Sequence, residues 1–219
     1  MTKDRVYGLI VKPLVFVAAA LPFVWMAGGA FGLWDAGLTA DPVREIIHRC
    51  GKTALNLLLI TLCVTPLRQL AKWNDVQRLR RMLGLFAFFY AVLHFVAYAW
   101  LDQGLVWSAI GEDIVKRPYI TIGMLALLML VPLAVTSTNR MIRRLKKRWQ
   151  TLHRLIYPIA ILGVWHFYWQ VKRDVREPLI YAGILALLLG YRVWRSARKG
   201  ALHRRFTSPS VPATARERT

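Results

Sequence analysis

Cysteine is almost absent from this chain. Cys50 and Cys63 are the two among 219 residues, too few to build a disulfide framework. Cys63 falls inside an apolar run and reads as a small packing residue. No glycine loop of the phosphate-cradling kind and no dinucleotide fingerprint occurs, and no strong internal repeat is visible. No appended nicotinamide- or flavin-reductase domain is therefore expected, and a protein of this kind that moves electrons needs a separate or lipid-soluble donor. Acidic residues are scarce, 11 against 31 Lys and Arg, for a net charge of +20. What is abundant is apolar: 56% of residues are hydrophobic. A soluble basic protein would spread its charges, whereas here they cluster between apolar runs of the length that crosses a bilayer.

Six such runs are readable: Leu9–Phe31, Thr53–Leu67, Met82–Leu101, Tyr119–Val135, Trp149–Trp169 and Leu179–Trp194. The second is short and carries Asn56 and Thr61, so its helix is expected to begin earlier, near Ile46. Asp41–Cys50 reads as a short interfacial helix with Pro42 in its first turn, which leaves His48 exposed. The first run is too long for the core of a cleavable leader, and Trp34-Asp35 is no small-residue cleavage site; it is expected to stay as a helix, with Lys12 snorkelling to its end. The fold class is thus an all-α integral-membrane bundle of six helices. It occupies residues 1–200, and a polar, Pro-bearing basic tail at 201–219 is expected to be disordered.

Charge orients the bundle. The N-terminus, loops 68–81 and 136–148, the tail and the adjoining span ends hold 23 Lys and Arg and 3 acids, against 8 and 8 on the other side. The positive-inside rule puts both termini in the cytoplasm. Membrane orientation accounts for the basicity, and the loops contain no nucleic-acid module.

Three histidines lie within these apolar runs: His94 in the third, His153 and His166 in the fifth. A neutral imidazole can be buried and remains a good metal ligand. Histidines on two membrane helices, two of them thirteen residues apart on one helix, suggest haem iron held between helices. Counted from the cytoplasmic start of each run, His94 is about 18 Å deep, His166 about 25 Å and His153 about 6 Å at 1.5 Å per residue. His94 and His166 share the outer half of the bilayer and form the better axial pair. His153 lies about 20 Å below His166 and suits a second haem near the cytoplasmic face. Its facing position, fourteen residues before His94, is Arg80, so that haem takes another ligand or is five-coordinate. His153 and His166 are also about 140° apart around a straight helix, and Pro158 between them is placed to kink it. His203 in the basic tail has no such context.

Other residues admit two uses each. Arg80, Arg81, Arg148 and Arg154 can pair with haem propionates or simply set orientation. Phe86, Phe88, Phe89, Tyr90, Tyr98 and Trp100 can wall a haem or serve as packing, with Tyr98 and Trp100 in an interfacial belt. Gly84 and Gly163 can admit a porphyrin or a neighbouring helix.

Several runs resemble one family: Leu21-Pro22-Phe23, Gly51-Lys52-Thr53-Ala54-Leu55, Thr65-Pro66-Leu67, Arg80-Arg81-Met82-Leu83-Gly84-Leu85, Arg117-Pro118-Tyr119, Thr136-Ser137-Thr138, Arg148-Trp149-Gln150-Thr151-Leu152-His153 and Pro178-Leu179-Ile180-Tyr181-Ala182-Gly183. Their order and spacing over about residues 15–195 are similar to the MsrQ (YedZ) family, within the ferric-reductase-like transmembrane superfamily. The resemblance implies a haem b subunit of the bacterial inner membrane. In that family, the subunit takes electrons from the quinone pool and passes them to MsrP, a periplasmic molybdopterin enzyme that reduces methionine sulfoxide in oxidised proteins. It also implies FMN, for which no local residue pattern stands out. His94, His153 and His166 match the family's haem histidines. Many relatives in the wider superfamily carry four, in two pairs; this chain has three. The resulting expectation is a membrane electron conduit with one or two haems b, whose catalytic reduction occurs in the partner. Loops 102–117 and 170–177 are candidates to dock that partner. The alternatives are a ferric or other metal reductase, and a cofactor-free transporter whose histidines bind substrate or protons.

Overall fold

The computed structural model describes residues 6–171 and 174–207. All regular structure among them is helical: α1 (Tyr7–Ala30), α2 (Pro42–Leu70), α3 (Asn74–Asp102), α4 (Trp107–Lys116), α5 (Pro118–Val135), α6 (Asn139–Leu145), α7 (Lys147–Leu152), α8 (Ile156–Gln170) and α9 (Arg176–Thr207). Among the described residues, five helices are long and apolar enough to cross a membrane: α1, α2, α3, α5 and α9 up to Arg198. The sixth expected span, Trp149–Trp169, is not one helix. It divides into α7, a 3-10 turn at His153–Leu155 and the 15-residue α8. Pro158 supplies the reason. It has no N–H for the Arg154 carbonyl, and its ring crowds that carbonyl, so the chain tightens to 3-10 geometry there. α9 runs through Thr207, seven residues into the expected tail; residues 208–219 lie outside the described residues.

The second span is longer than its apolar run suggested. α2 is one continuous helix from Pro42, so the segment Asp41–Cys50 is its first part rather than a separate interfacial helix. The Asp41 carboxylate accepts from the Arg44 backbone N–H at 3.1 Å, and Pro42 sits where its missing N–H costs nothing. This helix is the centre of the bundle: 44% of its apolar window is buried, against 11% in α1 and in α9. Two of the polar residues in its apolar part are paired. The Thr61 hydroxyl donates to Leu57 O at 2.8 Å, and Asn56 Oδ1 accepts from the Tyr181 hydroxyl of α9 at 2.6 Å. The outward residues stay apolar, as in Leu14, Val135 and Leu187 at 68, 62 and 76% exposed. That surface suits a lipid solvent.

Two helix pairs organise the rest. α2 packs along α3 and α5 along α8, while α9 lies against α8 and α2. α1 joins through rings: Phe16 meets Phe86 edge-on at 5.1 Å and Phe23 meets Phe89 at 5.4 Å. Phe86 and Phe89 thus serve the contact between α1 and α3. Tyr90, fully buried, locks the same contact. Its hydroxyl donates to Ala19 O at 2.8 Å and accepts from Phe23 N–H at 2.9 Å. Those two groups would ordinarily bond each other within α1. Beside Pro22 the ladder opens, and the tyrosine hydroxyl bridges the gap.

Candidate functional site

α3 and α8 carry His94 and His166 near their C-terminal ends, beside the N-terminal turns of α2 and α5. The helices run antiparallel in each pair, so the four ends meet on one side of the bundle. There the two imidazoles face each other with ring centroids 6.0 Å apart and planes at 80°. His94 Nδ1 bonds Ile47 O at 2.8 Å and His166 Nδ1 bonds Tyr119 O at 2.7 Å. A carbonyl oxygen can only accept, so each Nδ1 carries the proton and each Nε2 holds a lone pair. The bond to a backbone carbonyl also fixes ring orientation and raises the basicity of the other nitrogen.

This pair fits an axial site. Two nitrogen–metal bonds of about 2 Å, plus about 1 Å from each nitrogen to its ring centre, separate the centroids by about 6 Å. No group of three or more His, Cys, Asp or Glu that could hold a bare metal ion occurs among the described residues. Two histidines alone make an incomplete cage for such an ion, whereas an iron whose other ligands come from a macrocycle could be held between them.

His153 stands apart. It occupies the 3-10 turn, stacks on Trp149 at 3.9 Å between ring centroids, and bonds Trp149 O through Nδ1 at 3.1 Å. Its Nε2 is buried without a hydrogen-bond partner. The charged side chain acting on it is Arg80, which is half-buried among Arg68, Arg192 and Tyr157. The other expected propionate arginines are more open. Arg81 donates to Asn139 Oδ1 at 2.5 Å, and Arg148 and Arg154 are exposed. Arg192 donates to Leu188 O at 2.8 Å and Leu62 O at 2.5 Å and lies over the Tyr157 ring. Composition alone did not single out Arg68 or Arg192, because their apolar surroundings come from α2, α8 and α9 together.

His48 corrects an expectation. It is half-buried rather than exposed, its ring 6.1 Å from Phe167, and it lies close enough to His94 to act on it electrostatically. The cause is the continuity of α2, which carries residue 48 into the bundle. On the same side, segment 102–117 holds the amphipathic helix α4. Ile110 points inward, while Trp107 and Val115 are 71 and 83% exposed. Tyr98 donates to Asp113 at 3.0 Å and Asp113 pairs with Arg117 at 3.2 Å, so α4 is tied to α3 and α5. Lys52 pairs with Glu177 at 2.5 Å. Residues 172 and 173 of the second candidate loop lie outside the described residues.

Residues 50–164 match the family described as ferric reductase like transmembrane component, which sets the class. The finer grouping comes from curated relatives, each named protein-methionine-sulfoxide reductase heme-binding subunit MsrQ. The protein of Xanthomonas axonopodis pathovar citri is 52% identical over 217 residues, covering 97% of this chain and 100% of that protein. That of Xanthomonas oryzae pathovar oryzae is 50% identical over the same span. That of Rhodospirillum rubrum is 54% identical over 186 residues, 84% of this chain and 88% of that protein. The chain belongs to the MsrQ family of ferric-reductase-like membrane proteins. No solved structure matches it.

Proposed function

We propose that this chain is a haem b electron-transfer subunit serving methionine sulfoxide reduction. The observation that carries the reading is the His94–His166 pair, 6.0 Å apart, with both Nδ1 atoms held by backbone carbonyls. These two residues would hold one haem iron between them. A haem, when bound, supplies the one-electron chemistry. The chain itself supplies two preset imidazoles, an apolar surround and a fixed depth in the membrane. His153 and Arg80 serve the opposite, basic side, where electrons are taken up from the quinone pool. Arg80 is the arginine best placed for a propionate or other anionic group there, since it is half-buried and near enough to His153 to act on it electrostatically; Arg81, Arg148 and Arg154 are exposed. Electrons leave on the side of α4, toward a periplasmic molybdopterin partner of the MsrP kind, in which the sulfoxide is reduced.

The location is the bacterial inner membrane, with α8 completing six crossings and both termini in the cytoplasm. The grouping of 23 of the 31 basic residues at one end supports that orientation. A C-terminal alkaline-phosphatase fusion is expected to be inactive and a C-terminal fluorescent fusion bright; an active phosphatase fusion would refute six crossings.

The function is tested in membranes holding the protein, a reduced quinone and the purified partner, with haem oxidation state followed optically and flavin content measured alongside. Haem reoxidation is expected to require both the partner and protein-bound methionine sulfoxide. The membership in a ferric-reductase-like family favours one rival, a metal reductase. Equally fast reoxidation by ferric chelates without the partner would establish it. A purified sample with no Soret band would instead favour a cofactor-free transporter.

A further inference from the structure

The two histidine seats are built alike. In the first, His94 bonds Ile47 O, and Gly51 stands one helical turn after Ile47 on α2. In the second, His166 bonds Tyr119 O, and Gly123 stands one turn after Tyr119 on α5. The histidine follows its carbonyl by 47 residues in both cases. Acceptor, glycine and ligand each recur at a constant offset of 72 residues: 119 against 47, 123 against 51, 166 against 94. The carriers correspond too, since α2 packs along α3 as α5 packs along α8. At the same offset, Ala54, Leu55, Leu58 and Phe95 recur as Ala126, Leu127, Leu130 and Phe167.

Each glycine leaves room for the ring. A Cβ on Gly51 would lie 3.0 Å from His94 Nδ1 and Cε1, and one on Gly123 would lie 2.8 and 2.9 Å from His166 Nδ1 and Cε1. The crowded atom is the one that bonds the carbonyl, so the ring could give way only by stretching or breaking that bond. By contrast, a Cβ on Gly190 would meet nothing within 4 Å.

We propose that Gly51 and Gly123 are the positioning residues of the two histidine seats. Each holds an imidazole flat against the helix backbone so that Nδ1 reaches the carbonyl one turn away. The proposal rests on the reading that His94 and His166 ligate one iron. Loss of an outer partner of a metal-bound histidine lowers metal affinity about 10- to 100-fold.

The test substitutes Gly51→Ala and Gly123→Ala in the protein, with Gly190→Ala as control. Haem transfer to excess apomyoglobin is expected to speed up about tenfold for the first two, with loss of low-spin signal in electron paramagnetic resonance. Gly123→Ala should be the more severe, and Gly190→Ala should match wild type. Alanine favours a helix over glycine, so helix content should be kept. A double-mutant cycle guards against a general folding defect. With the ring removed, Gly123→Ala in a His166→Ala background has nothing to strike, and it should leave protein yield and thermal stability at the values of His166→Ala alone. Equal damage with and without the ring, wild-type behaviour at both glycines, or an effect at one glycine only would each overturn the positioning role. Unchanged low-spin haem in His94→Ala and His166→Ala would overturn the ligation reading instead, whatever the glycines do.

Discussion

His94→Ala and His166→Ala are each expected to abolish the low-spin haem of this protein. Six-coordinate low-spin iron needs both axial nitrogens, and each variant deletes one. The neighbouring imidazole, His48, packs against Phe167. The carbonyls of Ile47 and Tyr119 would each lose the imidazole donor and keep the backbone N–H one helical turn on. Loss of one such hydrogen bond costs about 0.5–1.5 kcal/mol, so a modest loss of stability should accompany the spectral change. Haem per protein and the reduced-minus-oxidised spectrum read the result. Retention of the full low-spin spectrum in both variants would sink the pairing.

His153→Ala should behave differently. Its ring sits in the 3-10 turn beside Trp149 and Arg80, toward the opposite end of the bundle from the pair. Removing it should leave the spectrum of the His94–His166 haem largely intact while slowing reduction by quinol by about tenfold or more, the scale expected when a group that holds a redox centre is lost. The unpaired, buried Nε2 motivates the expectation, since a buried lone pair without a donor in the protein is costly and is relieved by a ligand. Stopped-flow reduction by a water-soluble quinol, beside a static spectrum, separates the two effects. If His153→Ala abolishes all haem while His166→Ala spares it, the assignment of the ligands is reversed. If reduction proceeds at the wild-type rate, His153 has no part in electron uptake.

Much of the architecture was legible without coordinates, because a bilayer imposes strong rules on a chain. Apolar runs such as Leu9–Phe31 must be helical to satisfy their own backbone. That His94 and His166 come together was readable from simple rise per residue. Where reading failed, the cause was local chemistry overridden by neighbours. Thr53–Leu67 looked weak because Asn56 and Thr61 dilute its hydropathy, yet both are paired inside the bundle, and the helix extends back to Pro42 on an Asp41 cap. Trp149–Trp169 looked whole because hydropathy ignores the missing N–H of Pro158, which ends one helix and starts another.

By itself, the sequence determined the class of protein, its apolar helices, its charge asymmetry and the three histidines. Those depend on composition and period, which are local properties. Tertiary structure decided how the histidines are used. The carbonyls of Ile47 and Tyr119 are chemically identical to every other backbone carbonyl, and only the packing of α2 on α3 and of α5 on α8 selects them. The same packing turns Gly51 and Gly123 from small residues into the floor under a ring. The 72-residue correspondence stays hidden in the sequence because lipid-facing positions accept any apolar residue, and only the few that touch the imidazoles are held in step.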